Sequence, residues 1–286
     1  MNEKWREVYT IEQIKNIQNL ELKNLKILQD VCSKININFF LYGGSLIGAV
    51  RHKGFVPWDD DLDIAMLRPD YEKFVKEAPK HLPDEYYLQT PYNDKKSPYI
   101  YSKLRLRGTK CVEYGTHKIK IEHGIYVDIY PIDNMPDSDE LYEKKYNKFQ
   151  KIVKLFVLRQ CLYSGNIQNT LVAKFKKCVK FCIGLLLRII PHKVFIRKID
   201  ALMKEFNETS TKRFGNYSYK KPSNLFQAIT PFKKGEFEGI EVYLPNDWHE
   251  HLTLRYGDYM KMPPENERLG HKPYLLDFGK YEELKQ

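Results

Sequence analysis

Between Tyr42 and Met66 the chain reads YGGSLIGAVRHKGFVPWDDDLDIAM, a Gly-Gly-Ser turn followed by Asp59, Asp60, Asp61 and Asp63 and an apolar run. Alternate side chains of a strand share a face, so Asp59, Asp61 and Asp63 point one way while Leu62 and Ile64 point into a core. Adjacent carboxylates on one face are hard oxygen ligands that suit Mg²⁺, or Mn²⁺ in its place. Asp61 and Asp63 are the expected metal ligands; Asp59 and Asp60 either support them or pair with Arg51 or Lys53. An EF-hand would space its acids in the same way, but it needs glycine at the sixth loop position, where Ile64 stands.

Gly43 and Gly44 follow the apolar run Phe39–Tyr42, and a short helix is expected over 45–51. A helix start preceded by residues without Cβ lets backbone N–H groups approach an anion, so Gly43, Gly44 and Ser45 are candidate phosphate ligands. Ser45 would equally serve as an N-cap. Of Arg51, His52 and Lys53, within two turns of it, one is expected to neutralise phosphate oxygens beside the metal. Lys103, Arg105 and Arg107 alternate along one strand face and suit a diphosphate clamp, or else a charged edge strand that resists aggregation. Asp128, between Val127 and Ile129, reads as catalytic or as an internal hydrogen-bond acceptor, and Asp133 falls on the opposite face as a structural residue. Trp58 stacks on a ligand or packs under the turn. His249 and His251 flank Glu250 with no cysteine near in sequence, too little for a zinc site. Neither a P-loop nor a G-x-G-x-x-G dinucleotide turn is present, so phosphoryl chemistry here would run on metal and carboxylates.

These residues need a scaffold. Ile11, Ile14, Ile17, Leu20, Leu25, Leu28 and Val31 recur at helical spacing. Strands are expected at 38–42, 62–66, 86–89, 99–105 and 125–130, with a helix opened by Pro69. The expected fold is α/β (α+β): a small mixed sheet flanked by helices over residues 1–137, a lysine-rich helical insertion over 138–212 broken at Ser164–Gly165 and Pro191, and a segment 213–286 folding back on the core. That last segment should carry a strand at 240–244 and a helix at 247–256.

The 286 residues carry a net charge of +10, which calls for an anionic partner. Five cysteines with no C-x-x-C pair, and an N-terminus without an apolar signal region, point to reduced thiols and a cytoplasmic setting. The apolar run near Leu185 is about half the ~20 residues of a membrane span. Flanked by Lys174, Lys176, Lys177, Lys180, Lys193, Arg197 and Lys198, segment 171–198 reads as a basic amphipathic surface element or a core helix with a solvated face. A non-catalytic basic protein that binds membrane or nucleic acid is the competing reading.

The run GGSLIGAVRHKGFVPWDDDLDIAM resembles the LicD family of phosphotransferases, within the nucleotidyltransferase superfamily, to which the fukutin-related sugar-alcohol-phosphate transferases are also similar. HGIYVDIYPIDNMP at 123–136 is similar to that family's third-carboxylate strand, and LRYGDYMKMPPENERLGHKPY at 254–274 to its C-terminal signature. The resemblance covers roughly residues 15–135 and 240–280. It implies a nucleotidyltransferase-like core with Asp61, Asp63 and Asp128 as catalytic, metal-binding residues and His271 as a further site residue. It implies transfer of phosphocholine from CDP-choline to a sugar hydroxyl of a cell-surface glycan precursor; such precursors are commonly lipid-linked, which would give the basic segment near Leu185 reason to touch the inner face of the plasma membrane from the cytoplasm. Ribitol phosphate or glycerol phosphate from a CDP-linked donor is the alternative cargo, and no nucleic-acid partner is expected.

Overall fold

The computed structural model describes residues 9–160, 171–220, 224–268, 270–271 and 273–284. Most of the N-terminal stretch read above, Cys161, the expected break at Ser164–Gly165, and Lys272 lie outside these residues.

The first helix, α1 (Ile11–Lys34), opens on a capping box between Thr10 and Gln13 and buries Ile14, Ile17, Leu20, Leu25, Leu28 and Val31. Its inner face also carries two polar side chains, Glu21 and Asn24. Strand β1 (Phe40–Leu41) is shorter than expected, and α2 (Gly43–His52) begins directly at the glycines. Strand β2 (Leu62–Leu67) leads into α3 (Arg68–Glu77), with Pro69 in its first turn. Then come β3 (Tyr86–Gln89), β4 (Ser102–Leu106), β5 (Lys110–Glu113) and β6 (Ile125–Met135). The sheet runs β1-β2-β6-β4-β3 and is mixed: β2 and β6 are parallel, the other neighbours antiparallel. Strand β6 is nearly continuously buried, as a central strand covered on both faces must be.

Helices α4 (Asp139–Gln160), α5 (Leu171–Leu187) and α6 (His192–Met203) follow. Tyr142, Phe149 and Phe156 of α4 pack on Phe195, Ile199 and Met203 of α6, with Met135 and Tyr217, in an apolar cluster apart from the main core. The chain then returns through β7 (Arg213–Gly215), which extends the sheet by pairing with Asp133–Met135, and through β8 (Asn224–Leu225) and α7 (Phe226–Ile229). A hairpin of β9 (Lys233–Phe237) and β10 (Ile240–Leu244) sends Phe237 and Val242 into the main core. Helix α8 (Trp248–Tyr256), capped by Asp247, adds Leu252, and β11 (Pro273–Asp277) pairs with β5.

Asp133, on β6, accepts both arms of Arg68, Nε at 2.6 Å, and a bond from Asn207 at 2.7 Å. This buried network ties α3 and the turn after α6 to the central strand, the structural role its strand face implies.

Candidate active site

Strand register sets the site. Asp63 of β2 stands opposite Asp128 of β6, and Asp128 in turn stands opposite Lys103 of β4, in one row across the sheet. Asp61 lies one residue before β2. A carboxylate oxygen from each of Asp61, Asp63 and Asp128 can be chosen so that all lie within 4.8 Å of one another. Burial pushes the carboxyls of Asp59, Asp61 and Asp63 above their ordinary range, and the charge of Asp61 raises Asp59 and Asp63 further. Asp63 Oδ1 is buried and has no hydrogen-bond partner among the described residues. Packed acids with an orphaned oxygen and a common centre fit a divalent cation.

The two glycines make this packing possible, in a way that corrects the expectation of an open phosphate cradle. A Cβ on Gly43 would stand 2.3 Å from Asp63 Oδ2, and one on Gly44 2.5 Å from Asp59 Oδ2. The helix start is therefore faced by carboxylates, which its positive dipole end favours. Gly43 also has φ +55°, a conformation cheap only for glycine. Ser45 is not the cap: Tyr42 holds that position without a side-chain bond, and Ser45 Oγ accepts the Asp63 N–H at 2.8 Å, tying α2 to β2. From α1, Gln18 donates to the carbonyls of Val56 and Asp59 and holds the acidic loop.

Two further expectations are corrected by strand order. Strand β4 lies between β6 and β3, so it is not an edge, and Lys103 and Arg105 are buried. Lys103 Nζ sits 2.6 Å from Asp128 Oδ1 and 3.5 Å above the Tyr126 ring, a cation built into the acidic row. Arg105 donates to Gln89 at 2.7 Å and to the Gly124 carbonyl at 3.0 Å, so it braces strands rather than clamping a diphosphate. Arg107 is exposed and bonds the Asp84 carbonyl. Arg51, His52 and Lys53 lie at the far end of α2, about 12–15 Å along it from Gly43 at ~1.5 Å per residue. Arg51 donates to His52 and to the Tyr259 carbonyl, and Lys53 is an exposed left-handed cap. Burial and the Arg51 charge lower the His52 pKa. Trp58 is half-buried, with the Arg51 and Arg268 guanidiniums 6.0 and 5.0 Å from its ring centre.

The C-terminal segment closes the site. His271 donates its backbone N–H to Asp60 Oδ1 at 2.8 Å, and its Nδ1 lies 3.3 Å from the same oxygen and 3.9 Å from Asp61 Oδ2. The bond to Asp60 pushes the imidazole up to about 10. Asp60 thus pairs with His271, not with Arg51 or Lys53. His249 meets the Tyr259 hydroxyl at 2.7 Å, and His251 is buried.

Three features escaped the sequence reading. Arg255 of α8 donates from Nε to His251 Nε2 at 3.1 Å, and its guanidinium lies 3.9 Å from the Tyr219 ring centre and 5.0 Å from that of Tyr42. No carboxylate pairs with it among the described residues. Its neighbour Tyr256 meets the Tyr219 hydroxyl at 3.3 Å. A tyrosine wall links Arg255 to the acids: Tyr42 to Tyr130 at 5.6 Å and Tyr130 to Tyr101 at 4.4 Å between ring centres, with the Tyr130 hydroxyl 3.4 Å from Asp128 Oδ2. Finally, Glu21 is buried with Oε2 unpartnered, and burial followed by the charges of Asp61 and Asp60 raises it well above the carboxylate range. Only the LRY of the C-terminal signature hinted at Arg255; Glu21, like Asn24, interrupts the apolar face of α1.

Residues 36–154 match the family model described as LicD/FKTN/FKRP, nucleotidyltransferase domain. Over 261 residues the chain is 29% identical to the lipopolysaccharide cholinephosphotransferase LicD of Haemophilus influenzae, covering 89% of this chain and 95% of that protein. It is also 32% identical over 162 residues to an uncharacterized protein of Rickettsia typhi, covering 53% of this chain and 48% of that one.

Proposed function

The chain carries a LicD-family nucleotidyltransferase domain, and we propose that it is a metal-dependent transferase passing phosphocholine from CDP-choline to a sugar hydroxyl of a cell-surface glycan precursor. The observation that carries this reading is the three-carboxylate cluster of Asp61, Asp63 and Asp128 at the glycine-started end of α2. The chain's similarity to a lipopolysaccharide cholinephosphotransferase over most of both chains supports phosphocholine as cargo and a glycan as acceptor.

Asp61, Asp63 and Asp128 would hold Mg²⁺, or Mn²⁺, which when bound neutralises charge on the donor diphosphate. The acceptor oxygen forms the new bond to the choline-bearing phosphorus as the bond to the CMP oxygen breaks, and the hydroxyl proton leaves to a base. Lys103 holds Asp128 in place and offsets the excess negative charge of the row. Arg255, backed by a neutral His251 and two ring faces, supplies a guanidinium that no carboxylate among the described residues pairs with, for a donor phosphate. His271 keeps Asp60 and the acidic loop turned toward the centre. Glycines 43 and 44 serve the phosphates indirectly, by letting the carboxylates seat against α2. The division at 137 and 212, and work at the inner face of the plasma membrane on a lipid-linked acceptor, belong to this proposal.

The test is transfer itself. The protein is incubated with choline-labelled CDP-choline, Mg²⁺ and a glycolipid extract of the source cells, and CMP and lipid-bound label are followed. Label incorporated with stoichiometric CMP, and abolished by Asp63→Asn, supports the reading; label only from CDP-ribitol or CDP-glycerol would move the cargo to a sugar-alcohol phosphate.

A further inference from the structure

We propose that α5, together with the turn and first residues of α6 that follow it, docks this protein onto an anionic lipid surface. The inference rests on the exposed face of α5 and does not depend on the transfer reading. Val172, Phe175, Val179, Ile183 and Leu186 fall at successive spacings of 3, 4, 4 and 3 residues and so make one stripe along the helix. That stripe faces solvent: Phe175 is 70% exposed, Leu186 65% and Val172 63%, with Ile189 and Ile190 exposed just beyond the helix. A core helix would bury this stripe, so the core-helix alternative fails on exposure.

Charge identifies the occupant. Between Leu171 and Ile199 there are eight cations, Lys174, Lys176, Lys177, Lys180, Arg188, Lys193, Arg197 and Lys198, and no Asp or Glu. Lys176 and Lys180 border the stripe, at about 40° and 80° from Val172 on a wheel of ~100° per residue. Apolar side chains flanked by lysines are the pattern of a helix lying in a membrane interface, its apolar face among acyl chains and its cations among anionic headgroups. A protein partner would equally cover the apolar stripe, but nothing in it would call for eight cations without a counter-charge. Nucleic acid would use the cations and leave the apolar stripe wet. No helix among the described residues is long and apolar enough to cross a membrane, so the mode is lying on the surface. Anchorage back to the body is in place: Arg159 of α4 bonds the Ile190 carbonyl at 3.1 Å, and Arg188 bonds the Arg159 carbonyl at 3.3 Å.

The experiment is co-sedimentation of the full chain with vesicles of mixed phosphatidylglycerol and phosphatidylcholine, and with vesicles of phosphatidylcholine alone. The expected result is partition onto the anionic vesicles, weakened by salt. Partition should fall on the order of tenfold in the double variant Phe175→Glu, Leu186→Glu, and comparably in Lys176→Gln, Lys180→Gln. All four positions lie on the exposed helix, and circular dichroism and thermal midpoint verify folding; the glutamine pair is the decisive variant should the glutamates unfold α5. Absence of partition, or partition indifferent to both pairs, overturns the proposal. So does a concentration-dependent dimer, seen by analytical ultracentrifugation, that the glutamate pair breaks while vesicles are ignored. Thermal stabilisation by CDP-choline is read in parallel on the glutamate pair: retained there, it separates failure of docking from failure of the transfer reading.

Discussion

Asp63 and Asp128 stand directly opposite one another in the parallel register of β2 and β6, with Lys103 next in the row. Two unit charges 4.8 Å apart, the limit for one oxygen from each acid, repel by about 3.5 kcal/mol at an effective dielectric near 20, and this repulsion opposes ionising the row together. One lysine on the far side of Asp128 does not balance Asp61, Asp63 and Asp128 together. The row is therefore arranged for a further cation.

Removing one acid should expose that frustration. Asp63→Asn is expected to raise the thermal midpoint of the ion-free protein, by ~2 °C for each kcal/mol of repulsion relieved, while lowering transfer on the order of a hundredfold or more. Calorimetry in chelator and an activity assay check the two halves; a fall in stability together with intact activity contradicts both.

Gly43→Ala tests the packing beneath the acids. The methyl would enter at 2.3 Å from Asp63 Oδ2 on a residue at φ +55°, so a loss of about 1–3 kcal/mol is expected, with weaker Mn²⁺ binding by titration calorimetry. The same change at Gly108, which has φ +80° but nothing within 4 Å, should cost stability without touching metal binding.

Arg255→Ala should raise the KM for donor on the order of tenfold with Mn²⁺ affinity unchanged, because the guanidinium faces rings and His251 rather than an acid. Arg255→Lys should recover little, since the planar fork and ring stacking are lost. Steady-state kinetics decide it; equal loss of metal affinity would assign Arg255 to the carboxylate centre.

Burial, with the Arg255 charge second, holds His251 well below its ordinary 6.5. The unfolded chain then takes a proton that the folded chain refuses, so this contribution to stability is complete above pH 6.5 and is lost as pH falls below it. The slope is ~1.4 kcal/mol per pH unit until the folded pKa is reached. Urea melts between pH 5 and 8 should show the decline, and His251→Gln should flatten it; an unaltered slope in the variant places the proton elsewhere.

What could be read from the residues alone was whatever is written locally. Period-two alternation around Asp61 and Asp63, the glycine step, the α1 stripe and the Pro69 start are short-range patterns, and the strands and helices follow them. Lys103 and Arg105 were misread because their surroundings depend on strand order, and no local signal says that β4 sits beside β6. His271 and Asp60 are 211 residues apart, and only the family resemblance pointed to the histidine. Arg255 sits in the LRY of the C-terminal signature and Glu21 in the α1 stripe, but each acquires its meaning only from what the fold sets against it. The tenants of the glycine cradle were missed for a simpler reason, since a turn that admits a phosphate equally admits a carboxylate.

The most direct test of the central claim is a thermal-shift titration of CDP-choline, with CDP-ribitol and CDP-glycerol beside it, with and without Mg²⁺, on wild type and Asp63→Asn. A ligand at a hundredfold its Kd stabilises the native state by roughly 2.7 kcal/mol. The expected result is an Mg²⁺-dependent shift with CDP-choline that disappears in Asp63→Asn. A shift indifferent to Mg²⁺ and to Asp63, or none with any of the three donors, would contradict a carboxylate-metal transferase.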